Sequence, residues 1–483
     1  MKNFLKNLKT NQNFLISQTL SLGLLSFSIF IISLLGKELP SQVPLFFTKS
    51  WGEDQLAPKN FLYLIPIVQM FFSIIHALII NISINGRKNE YASVFSYLNV
   101  FLNLLLTAFL LKIVSEMTFF PYNKIDARFL NIIPPFLISF LISTFSGKYV
   151  IKFARRLNIV TNPNTDKHPA MLIKSPVPRA GVLIFYSGFI ITSLLFLPLN
   201  SKKIVGIILG TTLMTILGVL DDKYKDINRY IRLGLMTIIA AITSLLGVIT
   251  FYLNNPFGTP IKLDSVVFRF EAFNSEHKIF ALAVIFSIVW MLWIANTISW
   301  SNGIDGQFSG IAGITALVIA ILSLRFAQIE QENINVATLS ALTAGAVFST
   351  AFFTWYPQKI LWGFGATAVG IVLASTALLS VSKVAVASLV LLIPFLDGLV
   401  AIMRRLSKGQ SPFFGDREHL HHKLLDIGWS KPQIAIFYWT ITAILGTAAL
   451  VYSEKNTALT VTTLGGVVGF IIIVFNLINV KKK

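Results

Sequence analysis

The chain has 483 residues, 54% of them hydrophobic and only 13% charged, with 41 Phe, no Cys and a net charge of +19. Its apolar residues come in continuous runs of about 17 to 25 positions, the length of a helix that crosses a bilayer, which excludes a soluble globular domain. The runs do not alternate apolar with polar, which argues against a β-barrel, and the lack of Cys removes both a disulfide framework and a thiolate metal site. The expected class is an all-α polytopic transmembrane helix bundle.

The N-terminal MKNFLKNLKTNQ leads into an apolar run too long for a signal-peptide core and followed by no small-residue cleavage pattern, so a retained first span is expected. Fourteen candidate spans lie near 13–36, 61–84, 91–112, 129–147, 181–199, 204–220, 233–253, 279–298, 308–324, 336–354, 362–380, 384–402, 433–452 and 458–479. Threaded alternately with the N-terminus inside, they put about 26 Lys and Arg on one face and about 13 on the other. That bias predicts a multi-pass protein of the cell membrane with both termini cytoplasmic. Two domains are expected: residues 1–120 with three spans, and 129–480 with about eleven. Between spans one and two, LPSQVPLFFTKSWGEDQLAPKN carries no acid–base constellation. Its KELPSQVP and WGEDQLAP runs resemble a small bacterial membrane domain of unknown function, and the first three spans are read as an appendage that packs or binds a partner.

From Phe129 onward the polar signals fall on the expected cytoplasmic side. The loop after span four, NIVTNPNTDKHPAMLIKSPVPRAG, places His168 and Arg179 among four prolines that rule out an uninterrupted helix. It reads equally as a shaped anion loop or as a plain positive-inside loop. Span six ends in GVLDDKYKDINRYIR, where Asp221 and Asp222 repel each other unless a cation or proton relieves them. A pair of this kind at a membrane edge suggests Mg2+, a hard ion that favours carboxylate and phosphate oxygens; the alternative is a helix-end pair neutralised by Lys223, Lys225 and Arg229.

Span eight ends in WIANTISWSNGIDGQFSG, in which Asn296, Asn302 and Asp305 supply polar groups and Gly303 lets backbone approach a ligand. Such a loop reads either as a nucleoside contact or as an interhelical turn. Asp397 lies several residues inside span twelve, where an acid is costly and either lines a polar cavity or pairs with a neighbouring helix. The stretch RRLSKGQSPFFGDREHLHHK then gathers His419, His421 and His422, half of the six histidines, just after Asp416. That concentration suggests an anion or metal site at the membrane surface, set against a basic loop that only fixes topology.

Together these loops resemble the polyprenyl-phosphate N-acetylhexosamine-1-phosphate transferase family over roughly residues 130 to 450. PNTDKHPAMLIKSPVPRAG is similar to the family's first loop, GVLDDKY to its acid-pair motif, and IPFLDGLVAIMRRLSKGQSPFFGDREHLHHKLLDIG to its closing motif. The resemblance implies that a polyprenyl phosphate, usually undecaprenyl phosphate, attacks the β-phosphorus of a UDP-N-acetylhexosamine at the cytoplasmic face, releasing UMP. It implies Mg2+ held by Asp221 and Asp222, one of which also positions or deprotonates the lipid phosphate. Diphosphate oxygens would be held by His419, His421 and His422 with Arg179 and Arg229, and uridine by Asn296, Asn302, Gly303 and Asp305; His168, matching the first loop's His, is a further substrate-binding candidate. Asp397 and Asp416 are further candidate cavity acids. The expected partners are undecaprenyl phosphate, a UDP-sugar and membrane lipids, with no nucleic acid; a homodimer is admitted.

The chain departs from the family's pattern at three places. Ser299 and Asn302 stand where the span-eight loop usually has Asn and Asp, and Thr161 and Asp166 stand where the first loop tends to have Asp and Arg. At the start of span eleven, LWGFGATAVG puts Phe364 where the family has a metal-binding Asp. The expectations are therefore two: an enzyme whose metal site is completed by Asp305 or Asp416, or a weakened or inactive relative that still binds lipid phosphate or nucleotide-sugar.

Overall fold

The computed structural model describes residues 12–35, 39–46, 53–85, 89–117, 127–166, 172–173, 175–225, 227–253, 259–272, 275–327, 331–380, 383–411 and 417–452. His168, Asp416 and the last expected span, 458–479, lie outside the described residues. By internal contacts the chain forms two units, Met1–Pro134 and Pro135–Lys483. Most of the described residues are helical, as expected of an all-α polytopic membrane protein, and the strands form only short two-stranded ribbons. Among the described residues seven helices are long and apolar enough to cross a bilayer, and a bent helix pair makes an eighth if taken as one broken span.

The first unit packs α1 (Gln12–Leu35), α2 (Leu64–Asn85) and α3 (Asn89–Met117) against one another. In α2 the polar residues Gln69, Ser73 and His76 recur at helical spacing and are buried, while Ile67, Phe71, Ile74 and Leu78 form the exposed stripe. The bundle is thus polar inside and apolar outside along this seam, because interhelical hydrogen bonds are available between helices and lipid offers none. Gln69 donates to the Asn103 carbonyl at 3.0 Å and Thr107 Oγ1 at 2.8 Å. His76 lies between Gln18 and Ser96, 3.2 Å from each, and Asn99 donates to Ser21 at 2.9 Å. Apolar contacts of Ile32, Val43, Leu62, Leu110 and Ile113 close one end. There the loop between α1 and α2 forms an antiparallel ribbon, β1 (Gln42–Pro44) with β2 (Leu56–Pro58).

The second unit begins with α4 (Ile133–Arg156), followed by the short antiparallel ribbon of β3 (Val160–Thr161) and β4 (Val177–Pro178). Its further helices are α5 (Val182–Phe196), α6 (Lys202–Tyr224), α7 (Arg229–Leu245), α8 (Ala281–Trp300), α9 (Gln307–Arg325), α10 (Gln331–Thr354) and α11 (Ala366–Leu379). The centre is made by α9 and α11, whose residues are almost all buried. Both are rich in Gly, Ala, Ser and Thr, small residues that let helix backbones approach closely. Accordingly α11 packs on α6 and α8, and α9 on α10.

Two expected spans come out differently. Expected to reach residue 253, α7 ends at Leu245 and gives way to the ribbon of β5 (Tyr252–Leu253) and β6 (Ile261–Lys262), followed by the hairpin of β7 (Val267–Ala272) and β8 (Ser275–Phe280). Gly247 at φ 97° stops the helix where the largely apolar run beyond it, Val248 to Leu253, would by apolarity alone continue it. Span twelve is broken into α12 (Lys383–Val390) and α13 (Leu392–Ser407), bent by 83°. Pro394, in the first turn of α13, has no N–H to offer back across the break. A short helix, α14 (Leu420–Asp426), and α15 (Lys431–Tyr452), which packs on α9, complete the unit.

Candidate active site

The acid pair stands in the last turn of α6, which Ser201 caps at one end and which ends in a left-handed Lys225 at the other. One segment, residues 355–365, carries the groups that meet it. Leu361 N–H donates to the Pro178 carbonyl and Gly181 N–H to the Leu361 carbonyl, both at 2.8 Å, so this segment is clipped to β4 and the start of α5. The same clip holds Arg179, whose own N–H donates to the Ile159 carbonyl at 2.9 Å. Two distant stretches of chain therefore arrive together at Asp222.

Asp222 is completely buried. Its Oδ1 accepts the Phe364 backbone N–H at 3.0 Å and lies 2.9 Å from Arg179 Nε, an ion pair whose N–H is not aligned on the oxygen. Its Oδ2 is buried without a hydrogen-bond partner and faces Gly363, at φ 66°; a Cβ on Gly363 would collide with the carboxylate. Asp221 is paired with Arg232, whose Nη1 lies 3.1 and 3.2 Å from its two oxygens. The Phe364 ring lies against that same guanidinium, 4.4 Å from its Cζ. Arg229, the residue singled out in the sequence, lies beside Tyr230 with 6.0 Å from Cζ to the ring. Arg232 is one turn further along α7, and the facing of a helix cannot be read from its loop.

Beside the pair, Lys225 Nζ reaches Asp166 at 2.8 Å, so one of the altered positions of the first loop ties that loop to the end of α6. Thr161 is buried in β3 opposite Val177.

The histidine cluster is organised by Asp397. From the first turns of α13 its Oδ2 lies 2.7 Å from His419 Nδ1 and its Oδ1 accepts the Leu420 N–H at 3.0 Å, so the buried acid fastens the start of α14. Asp397 is thus paired with His419, itself one of the candidate site residues. The His419 and His421 rings are parallel at 5.7 Å, and His421 and His422 are 4.3 Å apart. Burial first, then the neighbouring His422 and His419, holds His421 well below the ordinary imidazole range. For His422, burial followed by His419 and Arg417 brings the pKa down to about 4. Both are neutral at pH 7.

The span-eight loop meets this cluster at Gly303, where a Cβ would collide with His421 Nε2. Asn302 sits beside it in the turn Ser301–Gly303. The Asn296 amide, in contrast, donates to the Leu292 carbonyl within its own helix at 2.7 Å. Asp305 is held by Lys431 Nζ at 2.8 Å and by the Gln358 N–H at 3.4 Å. Gln358 belongs to the segment that reaches Asp222, and Trp362 of that segment packs on Phe308 and donates to Ser309 at 3.0 Å. One segment thus touches both polar groups: Arg179, Asp221, Asp222 and Arg232 on one side, Asp305 and its surroundings on the other.

Mg2+ takes about six oxygens, few of them from protein, at about 2.0–2.1 Å. Here both oxygens of Asp221 accept from Arg232, Asp222 Oδ1 accepts from Phe364, and the remaining Oδ2 is packed against Gly363. Asp305 is spent on Lys431, and Phe364 offers a ring and no carboxylate. Among the described residues no three His, Asp or Glu are grouped to hold a metal ion. As folded, this donor set does not fit Mg2+.

Comparison with known proteins bears on the same region. Residues 204–381 match the family model described as Glycosyl transferase family 4. The chain is 24% identical over 345 residues to the probable undecaprenyl-phosphate N-acetylglucosaminyl 1-phosphate transferase of Bacillus subtilis, covering 69% of this chain and 88% of that one. It is 27% identical over 358 residues to the decaprenyl-phosphate N-acetylglucosaminephosphotransferase of Mycobacterium leprae, covering 66% and 84%. To the phospho-N-acetylmuramoyl-pentapeptide-transferase of Clostridioides difficile it is 24% identical over 324 residues, covering 65% and 95%. The loops, the helical membrane fold and these relatives agree: the chain is similar to glycosyl transferase family 4 over residues 204–381 and to polyprenyl-phosphate N-acetylhexosamine-1-phosphate transferases over about two thirds of its length.

Proposed function

We propose that this protein transfers a sugar-1-phosphate from a UDP-N-acetylhexosamine to undecaprenyl or another polyprenyl phosphate at the cytoplasmic membrane face, in cell-wall or surface polysaccharide biosynthesis. The observation that carries this reading is the pair of guanidinium groups, Arg179 and Arg232, one on each of the two adjacent buried acids in the last turn of α6. An oxygen of the lipid phosphate forms a bond to the β-phosphorus; the bond from that phosphorus to the bridging oxygen breaks, and its electron pair leaves with UMP. Both substrates are anionic, so the chain's task is to hold them in line and balance the charge on the phosphoryl oxygens. Arg179 and Arg232 do so at the diphosphate, with Asp221 and Asp222 fixing their direction. In this reading His419, His421 and His422 hold diphosphate oxygens, and Asn302, Gly303 and Asp305 contact the uridine.

A second reading is favoured by Phe364: a relative that binds the same ligands and has lost turnover. The two are separated by transfer of labelled sugar-1-phosphate from a panel of UDP-sugars to undecaprenyl phosphate in detergent-solubilised protein. The transferase reading expects labelled lipid with stoichiometric UMP, reduced about a hundredfold or more in Asp222→Asn, the scale of losing a preorganised charge contact. Binding of lipid phosphate with no product from any UDP-sugar establishes the second reading.

A further inference from the structure

We propose that this chain binds the diphosphate of its substrate through two guanidinium groups and no divalent cation, with Phe364 as the residue that makes Arg232 the replacement for the metal. The inference rests on the transferase-family reading for its ligand, and on four observations of its own.

First, the two carboxylates expected to bind a metal are consumed. Each has its own arginine, Asp221 with Arg232 and Asp222 with Arg179, so the cluster is two negative charges against two positive ones. Second, the one unpartnered oxygen of the pair, Asp222 Oδ2, is buried and faces Gly363 so closely that a methyl group on that glycine would collide with it. An Mg2+ ion that keeps its waters needs more space than a methyl group.

Third, Phe364 keeps the backbone contact of this position and changes only its side chain. The N–H still donates to Asp222 while the ring lies 4.4 Å from the Arg232 Cζ, a favourable cation–π arrangement for a guanidinium. A carboxylate at 364 would compete with Asp221 for that cation or recruit a metal. The ring does neither, and it helps hold Arg232 in a fixed direction. Fourth, exposure runs the right way for an anion. The carboxylate side chains are 0% and 9% exposed, whereas Arg179 and Arg232 are 28% and 31% exposed. A ligand arriving from outside meets guanidinium groups, each of which uses one nitrogen on its carboxylate and carries five N–H donors over three nitrogens. Two such forks, with the donors that their carboxylates leave unused, match the two phosphoryl groups of a nucleoside diphosphate in number and donor geometry.

The test is calorimetric titration of the purified full-length protein in detergent with UDP-N-acetylglucosamine and with inorganic diphosphate, in EDTA and in Mg2+. Wild-type affinity is expected to be the same in both media within about twofold, and Arg232→Gln to lose about tenfold or more in each, the scale of one charge-assisted hydrogen bond. Phe364→Asp is expected to bind weakly in EDTA and to recover in Mg2+. Mn2+ titrated into wild type and followed by electron paramagnetic resonance should show no saturable site that Asp222→Asn removes. A site of that kind, an affinity that collapses in EDTA, or no diphosphate binding in either medium would each overturn the proposal. Metal-requiring transfer would overturn it and leave the transferase reading standing. Metal-free diphosphate binding without any transfer would do the reverse.

Discussion

Buried histidines usually read as packing, yet the three here lie ring against ring, His419 parallel to His421 and His421 tilted on His422, with His419 fastened to a single acid. Asp397 holds His419, while His421 and His422 stay neutral because burial and the neighbouring imidazoles disfavour a proton. An unfolded imidazole titrates near pH 6.5, so the unfolded chain takes up protons below that pH before the folded one does. Stability contributed by neutral His422 is therefore fully present above about pH 6.5 and is lost as pH falls toward about 4. The thermal midpoint in detergent should drop between pH 7 and pH 5, and His422→Asn should flatten that drop. A midpoint with the same pH dependence in both proteins would contradict the assignment. At this scale the sequence was legible in residue type and blind to partner. The histidines, the acid pair and Asp397 stood out, but Arg232, Lys431 and the Asp397–His419 bond depend on how helices turn about their axes and on contacts across long stretches of chain.

Among the elements, the segment of residues 355–365 does more than its sequence suggests. It has little in its composition to mark it as a site, and its weight comes from position: clipped to β4, it brings a backbone N–H to Asp222 and another to Asp305. Gly363 is the tight point, with a positive φ and the Asp222 carboxylate against its Cα. Gly363→Ala should therefore lower stability by roughly 1–3 kcal/mol, as overpacking and backbone strain do, and weaken diphosphate binding by displacing Asp222. Unchanged unfolding and unchanged binding would show that the segment yields freely. Long apolar runs were legible because a bilayer dictates their length. The early end of α7 and the 83° break between α12 and α13 were not, since a glycine or proline within an apolar run marks a place where the chain can turn without saying that it does.

For the whole molecule, charge asymmetry sets the frame. The fourteen-span threading predicts the basic loops, the acid pair and the histidines on one face, and the hairpin of β7 and β8 on the other. The chain has no cysteine, so a single introduced thiol reports its side directly. Lys408→Cys should react with a membrane-impermeant maleimide only after the cell membrane is opened, and Asp264→Cys in intact cells. The opposite pattern would invert the topology and take the site to the outer face. The first unit stands apart in character: its polar seam through Gln18, His76, Asn99 and Gln69 is built for contact between its own helices. That seam is not legible in the sequence, because its polar residues are scattered one per turn through apolar text.

The most direct measurement is transfer of labelled sugar-1-phosphate from UDP-N-acetylglucosamine to undecaprenyl phosphate by the purified protein in EDTA, beside the same assay in Mg2+ and beside Asp222→Asn. The account predicts labelled lipid and released UMP at comparable rates in both media, lost in the variant. Labelled lipid that appears only with Mg2+ would contradict it.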